Sequence, residues 1–353
     1  MTQTTQPNPP TRHPIADFLG SIHLGPSQNH KQLTLWPLIR AGVAPGIPYI
    51  CLAEALESGA AQVDEVGGGS VPHVVLVNRG DVSVLVLFGE EIVGAKQNRV
   101  ANASFLVAPK SRVVLEVSCV EQGRWSARPA SAFSPGEQVI SSALRKDMAT
   151  RVSRSRSSGG SFDADQGAVW SDVSKRVRAM RNPSETGAYR DYARSLGQDL
   201  DEMARHFQQI EGQVGFVAVR GNRVDGVEAV GDPAVYARVH DRLLRAYTID
   251  AIDGAHAESA PAKGAEFLAP EDFLRAIADS AYQTGPSLGQ GTDLRLSGET
   301  VGGCALECGG IVHLMAFPNP THAGRSGNGE SRGGRTTGDS GGRIRSRRWW
   351  NHQ

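Results

Sequence analysis

The stretch VGFVAVRGNRVDGVEAV, residues 214–230, decides the fold class. Apolar, largely β-branched residues run up to Gly221-Asn222 and resume directly after it, the pattern of two strands closed by a two-residue turn. Immediately downstream, Gly231-Asp232-Pro233 marks a helix start, with Val235, Val239, Leu243 and Tyr247 at inward-facing spacing. Upstream lies a block of helical pattern, so here the chain returns to β structure.

That upstream block is read from its periodicity. Tyr189, Ala193, Leu196, Leu200, Met203, Phe207 and Ile210 recur at steps of three and four, which predicts one long helix over about 186–210 with a core-facing stripe. AVWSDVSKRVRAM (168–180) predicts another helix, and RVSRSRSSGGSFDADQ (151–166) a mobile polar loop. Ser134-Pro135-Gly136-Glu137 has the composition of a capping box, which predicts a helix from there to about Thr150.

Strand patterns flank the block. LTLWPLI (33–39), PHVVLVN (72–78), DVSVLVLF (81–88), ASFLVA (103–108) and RVVLEVSCV (112–120) precede it. Arg79-Gly80 predicts a hairpin between the second and third of these, and a Pro-Lys-Ser turn joins the last two. After the block, an Ala/Gly-rich connector (254–268) and a short helix at 271–282 lead to strands at 292–298, 302–309 and 311–317. The expected class is α+β: a mostly antiparallel β core with a helical insertion over about 134–210. One domain spans 14–318, preceded by a loose tail over 1–13.

Composition sets limits. The 353 residues carry 37 basic and 37 acidic side chains, and 39% are apolar, enough for a sizeable core. A zero net charge argues against a general nucleic-acid binder. No run approaches the roughly 18 apolar residues of a membrane span, and the first residues lack the apolar run of a secretory signal. With four cysteines in this length, the expectation is a cytoplasmic protein with reduced thiols. From Asn319 onward the composition shifts to seven arginines, eight glycines and two acids, a local charge of +5. That segment, 319–353, reads as a disordered tail able to touch nucleic acid only weakly.

Two polar runs carry the chemistry. Gly89-Glu90-Glu91 through Lys96-Gln97-Asn98-Arg99 follows the most apolar strand. Cys119-Val120-Glu121-Gln122-Gly123-Arg124-Trp125 leaves the end of another. Burying such groups without partners costs roughly 2–7 kcal/mol each, so they pair with one another or line a wet cleft. In the structural reading, carboxylates and arginines tie the turns together. In the functional reading, Arg99 and Arg124 grip a phosphate, Gln97 and Asn98 bind sugar hydroxyls, and Trp125 stacks on a ring. Glu90 and Glu121 are the candidate acid/base pair if their turns meet, although nearby arginines favour keeping both ionised.

These motifs, GEEIVGAKQNR and SCVEQGRW, with GAVW (167–170), residues 215–233 and GGCALECGGIVHLMAF, resemble the ARPP domain. The name denotes the ARG and rhodanese-phosphatase-superfamily-associated protein domain. The similarity covers about 15–318. It implies a role near ADP-ribose or other phosphorylated small molecules, with ADP-ribosylglycohydrolase or rhodanese-phosphatase proteins as pathway partners. Family-typical positions fall on Glu90, Gln97, Asn98, Arg99, Cys119, Glu121, Gly123, Arg124 and Trp125, with Trp170 and Glu228. The Arg/Gly tail is no part of that pattern.

Other candidates are weaker. Cys119 as a nucleophile lacks a marked base, since the histidines at 73, 206, 240 and 313 bear no sequence relation to it. His313, inside IVHLMAF, reads as a satisfied core histidine. Cys304 and Cys308 alone make a poor zinc site, so no metal and no cofactor are expected.

Overall fold

The computed structural model describes residues 13–42, 46–125, 133–256 and 269–319. Most of the Ala/Gly-rich connector and nearly all of both expected tails fall outside the described residues. Among those described, strands form three sheets. The largest runs Ile22–Leu24, Leu33–Arg40, Gln213–Arg220, Arg223–Val230, Ile311–Pro318, Val301–Glu307, Thr292–Ser297 and Tyr282–Pro286, with Gln28–His30 also on Leu33–Arg40. A six-stranded sheet orders Ser134–Val139, Glu90–Val93, Arg99–Ala101, Ser111–Cys119, His73–Asn78 and Ala61–Glu65. The third joins Phe105–Val107, Ser83–Val86 and Tyr49–Cys51. Pairing is antiparallel except between Tyr49–Cys51 and Ser83–Val86, so the α+β class holds.

The 214–230 reading places the centre of the large sheet. Gln213–Arg220 and Arg223–Val230 pair across Gly221, whose φ of 61° a residue with a Cβ adopts at a cost. Alternation then sorts side chains to two cores. Phe216, Ala218, Met315 and Phe317 join one cluster, whereas Val217, Val219, Leu314 and Ala316 join the other. Helix Pro233–His256 covers the first face, and its start is capped by Asp232, whose Oδ1 accepts the N–H of Ala234 at 2.7 Å. Helices Pro14–Gly20 and Pro270–Ala278 supply Ile15, Phe18, Phe273 and Ile277 to the second.

Four local expectations give way to tertiary pairing. Residues 72–88 are not a hairpin: His73–Asn78 belongs to the six-stranded sheet and Ser83–Val86 to the three-stranded one. Asn78 redirects the chain, since its Nδ2 donates to the carbonyls of Val82, Val107 and Ala108 and its Oδ1 accepts the Gly80 N–H. Nor does the helical insertion begin at 134. Ser134–Val139 pairs with Glu90–Val93, and the first helix is Ser142–Ser157, capped by Ser141. Arg151–Ser157 is therefore helical rather than loop. The stripe over 186–210 splits into Tyr189–Ser195 and Gly197–Ala204, because Thr186 and Ala188 are engaged by Glu121 and Gly197 is a poor interior helix former. Tyr189, Ala193, Leu200, Met203 and Phe207 are nonetheless buried, as the stripe required.

The Asn78 crossing predicts a specific sensitivity. Asn78→Ala leaves buried carbonyls without donors and should cost about 1–3 kcal/mol in urea unfolding. Asn78→Asp, which keeps an acceptor but loses both donors, should not restore stability.

Candidate functional site

Strands Glu90–Val93 and Arg99–Ala101 form a tight hairpin whose connection holds Gln97 and Asn98. Its turn needs positive φ at Gly94 (135°) and at Ala95 (43°), an uncommon value for a residue with a Cβ. The Arg124 guanidinium fixes it: Nη1 donates to the Ala95 carbonyl at 2.5 Å. Nε and Nη2 of the same group fork onto Glu121 at 2.9 and 2.6 Å, and Nη2 reaches Asn98 Oδ1 at 3.3 Å. Glu121 also accepts the Asn98 N–H and the Thr186 hydroxyl, at 3.0 and 2.8 Å. Gln97 donates to the Glu121 carbonyl at 3.1 Å and accepts from Arg99 at 3.2 Å.

The two runs thus converge, with Glu121 and Arg124 at the junction. Seven of the expected site residues, Glu90, Gln97, Asn98, Arg99, Cys119, Glu121 and Arg124, are buried, and Trp125 alone is 49% exposed. Lys96 Nζ and the Arg99 guanidinium lie 5.2 and 5.9 Å from the Trp125 ring centre. Cys119 is clamped through its backbone by Gln166 in both directions, and burial pushes its thiol up. Glu90 sits in a different network, holding Arg242 at 2.6 Å and the Leu87 N–H at 2.9 Å.

Electrostatics separates the acids. Burial alone would raise Glu121, but hydrogen bonds from Arg124, Thr186 and Asn98 outweigh it and hold the carboxyl below its ordinary range. Glu91 behaves oppositely. It is fully buried, neither carboxylate oxygen has a hydrogen-bond partner, and burial lifts it to about 7 against the pull of Arg190. Those arginines, Arg190 and Arg194, bind Glu137 instead, each at 2.6 Å.

Above the fork lies an open cleft of about 330 Å³. Gln122, Trp170, Ser174, Arg178, Glu185 and Thr186 line it. Gly123 forms its rim by necessity: its N–H donates to the Thr186 carbonyl at 2.7 Å, and a Cβ there would stand 2.7 Å from that oxygen. Helix Gln166–Arg178, anchored by Gln166 on Cys119, carries Trp170 and Arg178 into the wall. Arg178 makes no side-chain hydrogen bond or ion pair among the described residues.

A second buried network joins residues that no sequence spacing links. Arg145 forks onto Glu228 at 2.9 and 2.8 Å, Glu228 shares a hydrogen bond with His313 at 2.7 Å, and His313 shares one with Ser104 at 2.7 Å. The string is sealed: Arg145, Glu228 and His313 are 0% exposed and Ser104 6%. His313 is thus the satisfied core histidine that its sequence setting suggested. No group of three or more His, Cys, Asp or Glu able to hold a metal occurs among the described residues.

The chain is an α+β protein with a buried carboxylate–arginine fork, and its family follows from comparison with known families. Residues 21–317 match the model of ARPP-1, the ARG and Rhodanese-Phosphatase-superfamily-associated Protein domain, and the chain belongs to that family. No match was found among curated proteins or among solved structures. No helix among the described residues is long and apolar enough to cross a membrane.

Two outcomes follow. Glu121→Gln strands the Arg124 charge in a buried site and should destabilise by roughly 3–5 kcal/mol in denaturant unfolding, partly recovered in Glu121→Gln/Arg124→Met. For Glu91, the folded state keeps a proton that the unfolded chain releases near its ordinary 4.5. Its contribution is whole below pH 4.5 and is lost as pH rises through about 7. Wild-type stability should therefore fall relative to Glu91→Gln, by on the order of 3 kcal/mol, across that window.

Proposed function

We propose that the protein binds a phosphorylated nucleoside or sugar, ADP-ribose-like, in the cleft above the Glu121–Arg124 fork. The observation that carries this reading is one opening of about 330 Å³ bordered by an aromatic ring, an unpaired guanidinium and hydroxyls. Trp170 offers a face for a base. Arg178 offers five N–H donors to phosphate, while Thr186, Ser174 and Glu185 suit ribose hydroxyls. In this reading Gln97, Asn98, Arg99 and Arg124 form the frame, and Trp125 adds an exposed ring at its edge. The family's description names association with ARG and the rhodanese-phosphatase superfamily, and in this reading such proteins, ADP-ribosylglycohydrolases among them, are the pathway partners.

A hydrolytic reading has less support. Glu121 is held ionised and is a poor proton donor. Glu91 keeps its proton near neutrality, but it is fully buried.

Calorimetric titration of the full chain with ADP-ribose, ribose 5-phosphate and adenosine tests the proposal. Saturable heat is expected with the phosphorylated compounds, weakened about tenfold by Arg178→Ala or Trp170→Ala. Absence of heat with both phosphorylated compounds removes the binding reading. Consumption of ADP-ribose during the titration, followed chromatographically, would favour the hydrolytic one.

A further inference from the structure

A larger cavity, of about 500 Å³, lies between helix Ser142–Ser157 and the large sheet and shares no lining residue with the cleft above. One wall is a stripe of helix Ser142–Ser157. Lys146, Ala149, Thr150, Ser153, Arg154 and Ser157 follow each other at steps of three, four, seven, eight and eleven from Lys146. The opposite wall is made by the ends of three strands of the large sheet, with Phe317 as its apolar side chain; Leu296 borders the cavity, but its side chain belongs to the other core, with Ala316. Gly302 and Gly303 form the floor, where a Cβ at Gly303 would stand 2.3 Å from the Met315 carbonyl oxygen. Gly302 is constrained further, since a Cβ would stand 2.6 Å from Asn319 Oδ1.

The charge of this lining is one-sided. It contains two cations, Lys146 and Arg154, and no carboxylate. Lys146 is half-buried, and its Nζ donates to the Pro318 carbonyl at 2.5 Å. Asp147 and Asp225 act on it only from a distance; no carboxylate stands within 4.0 Å of it among the described residues. Arg154 has no side-chain hydrogen bond or ion pair among them either, and Ser153 adds a hydroxyl to the lining. A partly desolvated ammonium without a counter-ion is costly unless something anionic reaches it. The volume lies within the roughly 300–1,000 Å³ of small-molecule sites, which are mostly apolar with a few placed polar groups.

We infer that this cavity is a second ligand site, for a small organic anion with an aromatic or aliphatic body. The phosphate or carboxylate head sits at the cationic rim set by Lys146 and Arg154, and the body lies on Ala149, Phe317 and the glycine floor. Arginine and lysine supply charge-assisted donors to the head. A neutral compound of the same shape gains only the apolar contact.

Fluorescence titration of the full chain with 1-naphthyl phosphate, 1-naphthoate and 1-naphthol tests this. Saturable binding is expected for one or both anions and at least tenfold weaker for naphthol, and the preferred anion identifies the head. Lys146→Met and Arg154→Met should each weaken the anion about tenfold, and Ser153→Trp should block it. Trp170→Ala and Arg178→Ala should leave it unchanged, which separates this site from the first. Arg154 and Ser153 lie on the outer part of the helix, so their variants keep the fold, as circular dichroism would verify. The inference is overturned if neither anion saturates, if naphthol binds equally well, or if Arg154→Met and Ser153→Trp bind like wild type.

Discussion

The fork of Arg124 on Glu121 is the constraint on which the candidate site depends. A single guanidinium meets a carboxylate, an asparagine side chain and the carbonyl of a residue with positive φ, so two turns distant in sequence become one rigid junction. Both charges are nearly removed from water, and each is tolerable there only because the other is present. Thr186 and Ala188 then dock the start of the next helical pair onto Glu121. The helical block is thereby fixed to the six-stranded sheet, and the cleft above is a by-product of that fixation.

The Arg145–Glu228–His313–Ser104 string plays the corresponding part for the large sheet. It links helix Ser142–Ser157 to two central strands and to the segment after Arg99–Ala101. Gly89 fits against Arg145, where a Cβ would stand 2.6 Å from Cδ. Although serine, imidazole and carboxylate follow one another in order, the Ser104 oxygen already accepts the Phe88 N–H at 3.0 Å, and no surface reaches it. Order of groups alone does not make a nucleophile; access does.

How much was legible depended on the range of the forces involved. The 214–230 hairpin, the Asp232 cap and the stripe of Tyr189, Ala193, Leu200 and Met203 follow from local chemistry and were readable. Residues 72–88 and 134–139 depart from their local patterns because their strand partners lie elsewhere in the chain, and a capping-box composition cannot weigh that competition. At the site, the approach of QNR to EQGRW was readable because unpaired buried charges demand partners. The burial of that cluster was not, since composition reports which groups pair but not whether water reaches them. Glu91 faces away from Glu90 along the strand and is buried all the same, because both faces of Glu90–Val93 are covered, which alternation alone does not reveal. Glu228 and His313 meet across 85 positions, a separation that no local pattern bridges, although the core setting of His313 was legible.

The large sheet ends at Ile22–Leu24 on one side and Tyr282–Pro286 on the other. The first margin is broken into two strands of three residues, Ile22–Leu24 and Gln28–His30, and the second closes on Gly285-Pro286, where proline lacks a donor. Neither margin offers a long flat row of unpaired amides. A sheet this broad therefore exists without inviting a neighbouring chain to extend it, and self-association by strand addition is discouraged by the shape of its borders.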